Sequence, residues 1–298
     1  MKVLEFCPVC TAADVSLLYC ARTVRASTRW QIYGCRTCTH RFVNPQPSWS
    51  ELDAYYREDY DAYSPSHGAA GSDEQVIENA KLMGKFRHVH VWQGARILDV
   101  GCGGGYFLGI ASRLGAQVEG VELNQAGVEQ ARKSGLRVFH GATEQYRQVH
   151  RDKRFDLVTA NHVLEHIHDP VAELASMKQL LAKDGTIWIS VPNGHYWASL
   201  ALRERWHSTD IPRHLHQFTP QSLTKCAILA GLRVEALETF SLPKAVAGTI
   251  RQWLRYRLFV PQRLTRFLRP IDWAAARLGA RLDSKASGEA LLIWLKPS

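Results

Sequence analysis

The chain reads as an α/β protein, a parallel sheet covered by helices on both faces, with a small cysteine-built segment ahead of it. Three observations predict this. From residue 95 onward, short apolar runs alternate with helical patterns. One strand-like run, 95–100, leads straight into the glycine-rich turn Gly101-Cys102-Gly103-Gly104-Gly105. Four of the seven cysteines stand in two Cys-x-x-Cys pairs near the start.

Taken in order, residues 1–47 carry the cysteine pairs and end in Asn44-Pro45-Gln46-Pro47, a boundary signal. Residues 48–93 form a connector. It holds Tyr55, Tyr56, Tyr60 and Tyr63, then a loop at Ser64-Pro65-Ser66-His67-Gly68, then a predicted helix over 73–92. The main domain spans 94–298. Its strands are predicted at 95–100, 117–122, 137–140, 155–160, 186–191, 232–240 and 289–295, with helices at 105–114, 125–134, 143–149 and 170–182 between them. Asp169-Pro170 and Thr219-Pro220 each offer an N-cap followed by proline, and Gly231 ends the second of these helices. No repeat is visible at solenoid period.

Of the 298 residues, 46% are hydrophobic and 22% charged, which excludes a disordered or low-complexity chain. No apolar run reaches the roughly 18–20 residues of a membrane span, and MKVLEFCPVC lacks a signal-peptide core, so a cytoplasmic protein is expected. The net charge is +9, and residues 241–298 hold eleven Lys/Arg against three Asp/Glu. Residues 244–285 interleave arginines with Trp253, Leu254, Leu258, Phe259, Leu264, Phe267, Leu268 and Trp273. That composition suits an interfacial helix on an anionic membrane surface; covering a sheet edge, packing a dimer or gripping RNA phosphates are the other readings.

The glycine turn carries the functional argument. Glycines stand where the backbone must take positive φ or come close to a ligand. Asp99 precedes the turn, and Glu122 ends the next strand about 20 residues on, where an acidic side chain can hold ribose hydroxyls. A dinucleotide site would instead prefer Gly-x-Gly-x-x-Gly.

With these residues in place, segment 95–240 resembles the class I S-adenosylmethionine-dependent methyltransferases. The resemblance implies a Rossmann-like, seven-stranded, mostly parallel sheet with a reversed last strand. It also implies that Asp99, Gly101, Gly103 and Gly105 surround the amino-acid part of the cofactor, that Glu122 holds its ribose, that Gly141-Ala142-Thr143 faces its adenine and that Asn161 lines its methionine end. Phe155 to His166 (FDLVTANHVLEH), Ile189-Ser190-Val191-Pro192-Asn193, His214-Leu215-His216-Gln217-Phe218-Thr219 and Ala230-Gly231-Leu232 resemble the branch containing ubiquinone-pathway O-methyltransferases, and bacterial members encoded with surface-polysaccharide enzymes. Arg41-Phe42-Val43-Asn44-Pro45-Gln46-Pro47 and Tyr55-Tyr56 fit those bacterial members.

Cys7-Pro8-Val9-Cys10 and Cys35-Arg36-Thr37-Cys38 lie 24 residues apart. Two such knuckles brought together give tetrahedral sulfur coordination suited to structural Zn²⁺, which makes 1–47 a zinc ribbon. Cys20, Cys102 and Cys226 read as packing residues. His162, His166, His168, His195, His207, His214 and His216 cluster after the fourth and fifth strands of the domain. There, His162, His166 and His214 are candidate general bases for a hydroxyl nucleophile. His162, Glu165 and His166 at i, i+3 and i+4 also make a divalent-metal set if the segment is helical. Related ubiquinone-pathway enzymes carry acidic residues and a histidine there, but His162 replaces an acid. Tyr55, Tyr56 and Tyr60 are candidates to roof the pocket.

The expected activity is O-methylation of a small-molecule or lipid-linked acceptor (a sugar, glycolipid or quinone-like compound), with peripheral membrane contact through 244–285. An RNA methyltransferase fits less well, because the charge is not in the ribbon. A non-catalytic binding module conflicts with an intact Asp99-to-Glu122 set.

Overall fold

In a computed structural model the protein is described over residues 1–22, 28–56, 88–257, 269–283 and 287–298. A seven-stranded sheet forms its centre. Its parallel strands are β4 (Arg96–Val100), β5 (Gln117–Glu122), β6 (Val138–His140), β7 (Phe155–Asn161) and β8 (Leu181–Pro192). β10 (Leu232–Phe240) and β11 (Ala290–Pro297) complete it in the order β10-β11-β8-β7-β4-β5-β6. β11 runs antiparallel to both its neighbours, so the expected reversed last strand is present. β8 begins earlier than its predicted start at 186, because a register shift against β7 draws Leu181 into pairing with Phe155.

The strands alternate their burial between two apolar layers. Leu98, Val100, Val158, Ile187 and Ile293 face α4 (Thr143–Val149), α5 (Pro170–Gln179) and α7 (Pro220–Leu229), through Tyr146, Leu174, Met177 and Leu223. Ile97, Leu157, Trp188 and Leu292 face α2 (Tyr106–Arg113) and α3 (Gln125–Lys133), through Phe107, Leu108 and Val128. Each fully buried leucine or isoleucine here contributes about 1.5–3 kcal/mol. The predicted caps form. Asp169 accepts the Ala172 N–H at 2.9 Å and Thr219 that of Ser222 at 3.1 Å, each followed by proline.

The chain leaves β4 toward β5 and β6 on one side, then crosses back to β7 and β8 on the other. This reversal opens a crevice beyond the carboxyl ends of β4 and β7. Gly101 and Gly105 shape the turn after β4, with φ of 63° and 83°. A Cβ on Gly101 would lie 2.4 Å from Val163 Cγ2, and one on Gly105 2.4 Å from Leu136 Cδ1. The protein's own packing therefore demands these two glycines.

The N-terminal segment is not a free-standing lobe. β1 (Val15–Arg22), β2 (Arg29–Cys35) and β3 (Arg41–Val43) form an antiparallel sheet that continues into β9 (His216–Gln217) of the main domain. Cys7, Val9, Cys35 and Cys38 belong to the same apolar layer as Leu98 and Leu223. α1 (Trp49–Tyr56) follows β3, and α6 (Trp197–Leu202) follows β8.

The expectations for Tyr60, Tyr63, the 64–68 loop and residues 73–87 lie outside the described residues; residues 88–92 are not helical. Of the basic stretch, α8 (Pro243–Arg257) and α9 (Arg269–Asp283) are described. Val246, Ala247 and Ala275 are buried between them, and Trp253 and Leu282 pack on Tyr196 and Trp206. These apolar residues thus cover the protein's own surface, and Arg255, Arg277 and Arg281 stay exposed. Among the described residues no helix is long and apolar enough to cross a membrane.

Two glycine substitutions should have opposite signs. Gly101→Ala forces a left-handed alanine, at about 1–2 kcal/mol, and overpacks Val163, at about 1–3 kcal/mol, so urea unfolding should show a loss of at least about 2 kcal/mol. Gly109 lies within α2 with open space around its Cα, so Gly109→Ala should stabilise by about 0.5–1 kcal/mol.

Candidate active site

At the crevice, Glu122 ends β5 and is 8% exposed. Its Oε2 accepts the Gly103 N–H at 2.8 Å and its Oε1 the Asn124 N–H at 2.8 Å. Burial pushes its pKa up, opposed by these backbone hydrogen bonds. Each oxygen keeps a further lone pair, so the carboxylate can still accept two vicinal hydroxyls. Asp99 is buried and accepts the Thr159 hydroxyl at 2.6 Å. Asn161 closes β7 on the other side of the crevice. Gly103 takes φ 53° within the turn. Carboxylates at the turn and at the next strand end form an acceptor set that suits a diol and an ammonium, as the cofactor expected from the sequence requires. Thr143 differs from expectation in one respect. Its hydroxyl donates to Glu173 at 2.5 Å inside the α4–α5 interface, and Ala142 N–H is taken by Gln145.

Beyond β7 lies a cluster of histidines around one carboxylate. The helical face expected for His162, Glu165 and His166 does not form. His162 follows the strand at φ 53°, an uncommon conformation outside glycine, and Leu164–His166 is a single 3₁₀ turn. His162 Nδ1 still reaches Glu165 Oε1 at 3.1 Å. The third member of the close group is His214, brought in from a segment far along the chain. One ligand atom each from Glu165, His166 and His214 lies within 4.8 Å of the others.

Backbone carbonyls set both rings. Arg213 O lies 2.9 Å from His166 Nδ1, and Ser208 O lies 2.9 Å from His214 Nδ1. A carbonyl only accepts, so each Nδ1 carries the proton and each Nε2 presents a lone pair. His166 Nε2 and Glu165 Oε2 are buried and have no hydrogen-bond partner. His214 Nε2 stands 3.9 Å from both Glu165 Oε1 and Asp210 Oδ2. Burial would raise the Glu165 pKa, but the His162 hydrogen bond and the charges of His214 and His166 hold it at about 2. Burial, then the His214 charge, lowers His166 to about 4. Beyond the His162–Glu165 contact, the site thus leaves Glu165 Oε2 and His166 Nε2 as buried acceptors without a donor. It can take up a proton or hold a cation.

Of the tyrosines expected to roof the pocket, Tyr56 places its hydroxyl 3.0 Å from His166 Nδ1, with the Arg213 guanidinium over its ring. Tyr55 instead packs against the ribbon core of Ala21, Trp30, Ile32 and Val43. The sequence reading missed Asp210 and Arg213, because nothing local marks a residue that acts only through a loop folded back on the site.

The four paired cysteines meet. Cys7 Sγ lies 3.6 Å from Cys38 Sγ and Cys10 Sγ 3.5 Å from Cys35 Sγ, and all four are free thiols. A tetrahedral site with zinc–sulfur bonds of about 2.3 Å has edges of about 3.8 Å. The two knuckles match: Thr11 N–H bonds Cys7 O and Thr39 N–H bonds Cys35 O, each at 3.0 Å, and both threonines are left-handed. The Cys38 hydrogen bond draws Cys7 down to about 5, and the same contact pushes Cys38 up. The donor set fits Zn²⁺ in a closed structural site, held by Cys7, Cys10, Cys35 and Cys38.

Comparison with known proteins follows the same lines. A family described as a methyltransferase domain matches residues 49–237. A ubiquinone biosynthesis O-methyltransferase of Aromatoleum aromaticum is 31% identical over 156 residues, covering 48% of this chain and 66% of the relative. One of Dinoroseobacter shibae is 34% identical over 151 residues, covering 47% and 61%. The match therefore spans less than two thirds of these relatives' length. Among solved structures, the cyclopropane synthase MmaA2 of Mycobacterium tuberculosis aligns with a TM-score of 0.52 at 16% identity, covering 84% of this chain and 99% of the other. A SAM-dependent methyltransferase of Archaeoglobus fulgidus aligns with a TM-score of 0.50 at 20% identity, covering 76% and 95%. These structural likenesses establish a shared fold.

Protein prepared without chelators is expected to contain zinc by elemental analysis. Cys7→Ser with Cys10→Ser should lose it and, because the ribbon shares β9 with the main domain, should also speed hydrogen exchange at Leu215–Gln217. Retention of zinc by the double variant would contradict the four-sulfur site.

Proposed function

This chain belongs to the methyltransferase-domain family, and from that premise we propose that it transfers a methyl group from S-adenosylmethionine to a hydroxyl oxygen of a small-molecule acceptor. The supporting observation is the fixed pair of imidazole lone pairs at the carboxyl edge, beside the crevice. The relatives named above as O-methyltransferases support an oxygen acceptor. A sugar, glycolipid or quinone-like compound presents such a hydroxyl.

The cofactor brings a methyl group already activated on a sulfonium. The rest falls to the chain. Glu122 would hold the ribose diol, Asp99 and the Gly101–Gly105 turn the amino-acid end, Ala142 and the Thr143 backbone the adenine edge, and Asn161 the methionine end. Correct placement of donor and acceptor can lower the barrier by about 7–11 kcal/mol. His214 would take the hydroxyl proton at Nε2. Glu165 and Asp210, each 3.9 Å from that nitrogen, would stabilise the imidazolium as it forms. His166 would receive the acceptor hydroxyl within the same pocket, and Tyr56 above it would exclude water.

One observation favours a second role for the same atoms. Glu165 Oε2 and His166 Nε2 are buried without partners, and with His214 Nε2 they form a two-histidine, one-carboxylate set for a divalent cation. There, an ion would lower the pKa of the acceptor hydroxyl directly. Metal content separates the roles. Zinc equal to the four-sulfur site alone, unchanged in His166→Ala, fits the base. A further divalent ion that His166→Ala removes fits the metal.

Two outcomes test the main reading. Glu122→Ala should weaken S-adenosylmethionine binding by about 1.5–3 kcal/mol in titration calorimetry. Unchanged affinity would remove Glu122 from the ribose site. His214→Ala should lower turnover by about 10²–10⁴-fold with cofactor affinity nearly intact. Turnover within a few-fold of the parent would remove His214 as the base.

A further inference from the structure

The ribbon sheet presents a second set of groups that the methyl-transfer chemistry does not use. Arg41 of β3 and Gln217 of β9 are directly opposed in an antiparallel pair, so their side chains share one face of the sheet. Tyr19 reaches the same face, and Gln217 Nε2 lies 3.2 Å from its hydroxyl. Arg41 Nη1 donates to Gly194 O at 3.1 Å, on the loop that leaves the carboxyl end of β8. The Arg203 guanidinium lies 5.5 Å from the Tyr19 ring centre. His195, next on the β8 loop, is within the field of Arg41.

Two features of this group are unusual. Among the described residues no carboxylate lies within ion-pair distance of Arg41 or Arg203. By contrast, Arg96 pairs with Asp156 at 2.6 Å and Arg213 with Asp210 at 2.7 Å. Glu204 is the one carboxylate within electrostatic range of the Tyr19 hydroxyl among the described residues, and against Arg41 and Arg203 it leaves a net positive charge. Burial lowers the Arg41 pKa, but a guanidinium stays protonated in proteins. A partly desolvated cation without an ion-pair partner is costly unless a ligand supplies one.

The second feature is Gln217, 7% exposed, whose Oε1 is buried without a hydrogen-bond partner. The amide can be turned over without changing its shape. Tyr19 then donates to Oε1, and the unpartnered atom is the N–H₂, a donor. In that orientation Gln217 joins Arg41 as a donor on one face, with the Arg203 guanidinium over the adjoining Tyr19 ring, beside the loop that leaves β8.

We propose that this face is an oxyanion subsite, in which Arg41 and Arg203 hold a phosphate or carboxylate carried by the methyl acceptor. The proposal rests on the methyltransferase reading above and narrows the acceptor to a negatively charged one. Arg41 is the principal contact, because its planar fork matches an oxyanion edge. Arg203, on the exposed side, contributes charge. A phosphorylated or nucleotide-linked sugar and an aromatic carboxylate share this chemistry, and they differ in which simple anion the subsite prefers.

The test is calorimetric titration of the intact protein saturated with S-adenosylhomocysteine, at low salt, with inorganic pyrophosphate in one arm and benzoate in the other. The parent should bind one of them, and the stronger arm identifies the group. Arg41→Gln should weaken that binding by about tenfold or more, and Arg203→Gln should weaken it less. Arg36→Gln, on the exposed ribbon surface beside Asp14, should leave it unchanged. Arg41→Lys, which keeps the charge, should restore part of the loss. Failure of the parent to bind either anion, or equal binding by the parent, Arg41→Gln and Arg203→Gln, overturns the subsite. If Arg41→Gln does not fold, Arg203→Gln decides alone. Failure of S-adenosylhomocysteine to bind the folded parent would instead overturn the methyltransferase reading, and the two failures are read in the same experiment.

Discussion

The pairing of β3 with β9 joins the cysteine-built sheet to the segment that carries His214 and His216. Arg41 faces Gln217 and Phe42 faces His216 across this ladder. Val43 N–H bonds Leu215 O at 2.9 Å, and Leu215 N–H bonds Glu165 O at 2.8 Å. A short run of main-chain hydrogen bonds therefore leads from the ribbon to the buried carboxylate of the histidine cluster. The side chains reinforce it. His40 lies 2.9 Å from His216, and His216 Nε2 donates to Ile167 O at 2.8 Å, next to His166. Without this seam, residues 207–217 would have no sheet to lie on, and His214 would have no fixed distance from Glu165.

The histidine cluster is an electrostatic consequence of that placement. A fully buried carboxylate is expensive unless charge and hydrogen bonds stabilise it. Glu165 is fully buried, yet remains an anion because three imidazoles surround it. The rings in turn are held by backbone carbonyls of residues 208 and 213, so their orientation depends on the main-chain path rather than on flexible side chains. A site built this way loses little entropy when a substrate arrives. The same loop brings Arg213 over the Tyr56 ring, beside His166.

Apolar burial accounts for the described part of the basic stretch in a similar way. Val246, Ala247, Ala275, Trp253 and Leu282 pair the two helices and cover the aromatic group of Tyr196 and Trp206. An amphipathic pattern with many arginines is equally consistent with a membrane surface and with an ordinary outer helix layer. Which face is buried can be decided only by what lies beside it.

Much of the molecule was legible in the sequence. Short apolar runs located all seven strands of the central sheet, since a strand covered on both faces must be apolar whatever its partners. The glycine turn was legible because left-handed backbone and close packing leave few alternatives to glycine at 101 and 105. The matched cysteine pairs were legible because two knuckles of the same spacing have one natural use. What the sequence could not show was the company each side chain keeps. His162, Glu165 and His166 are adjacent in the chain and suggested a helical face, but the strand end turns left-handed at His162 and the third position falls to His214, 48 residues beyond His166. Arg41 read as part of a family motif, and only its pairing with Gln217 sets it beside Tyr19 and Arg203. Local physics determines which residues form strands, turns and knuckles, because those depend on near neighbours. Charges and lone pairs act through space, so the chemistry of the site was decided only when distant segments were folded against one another.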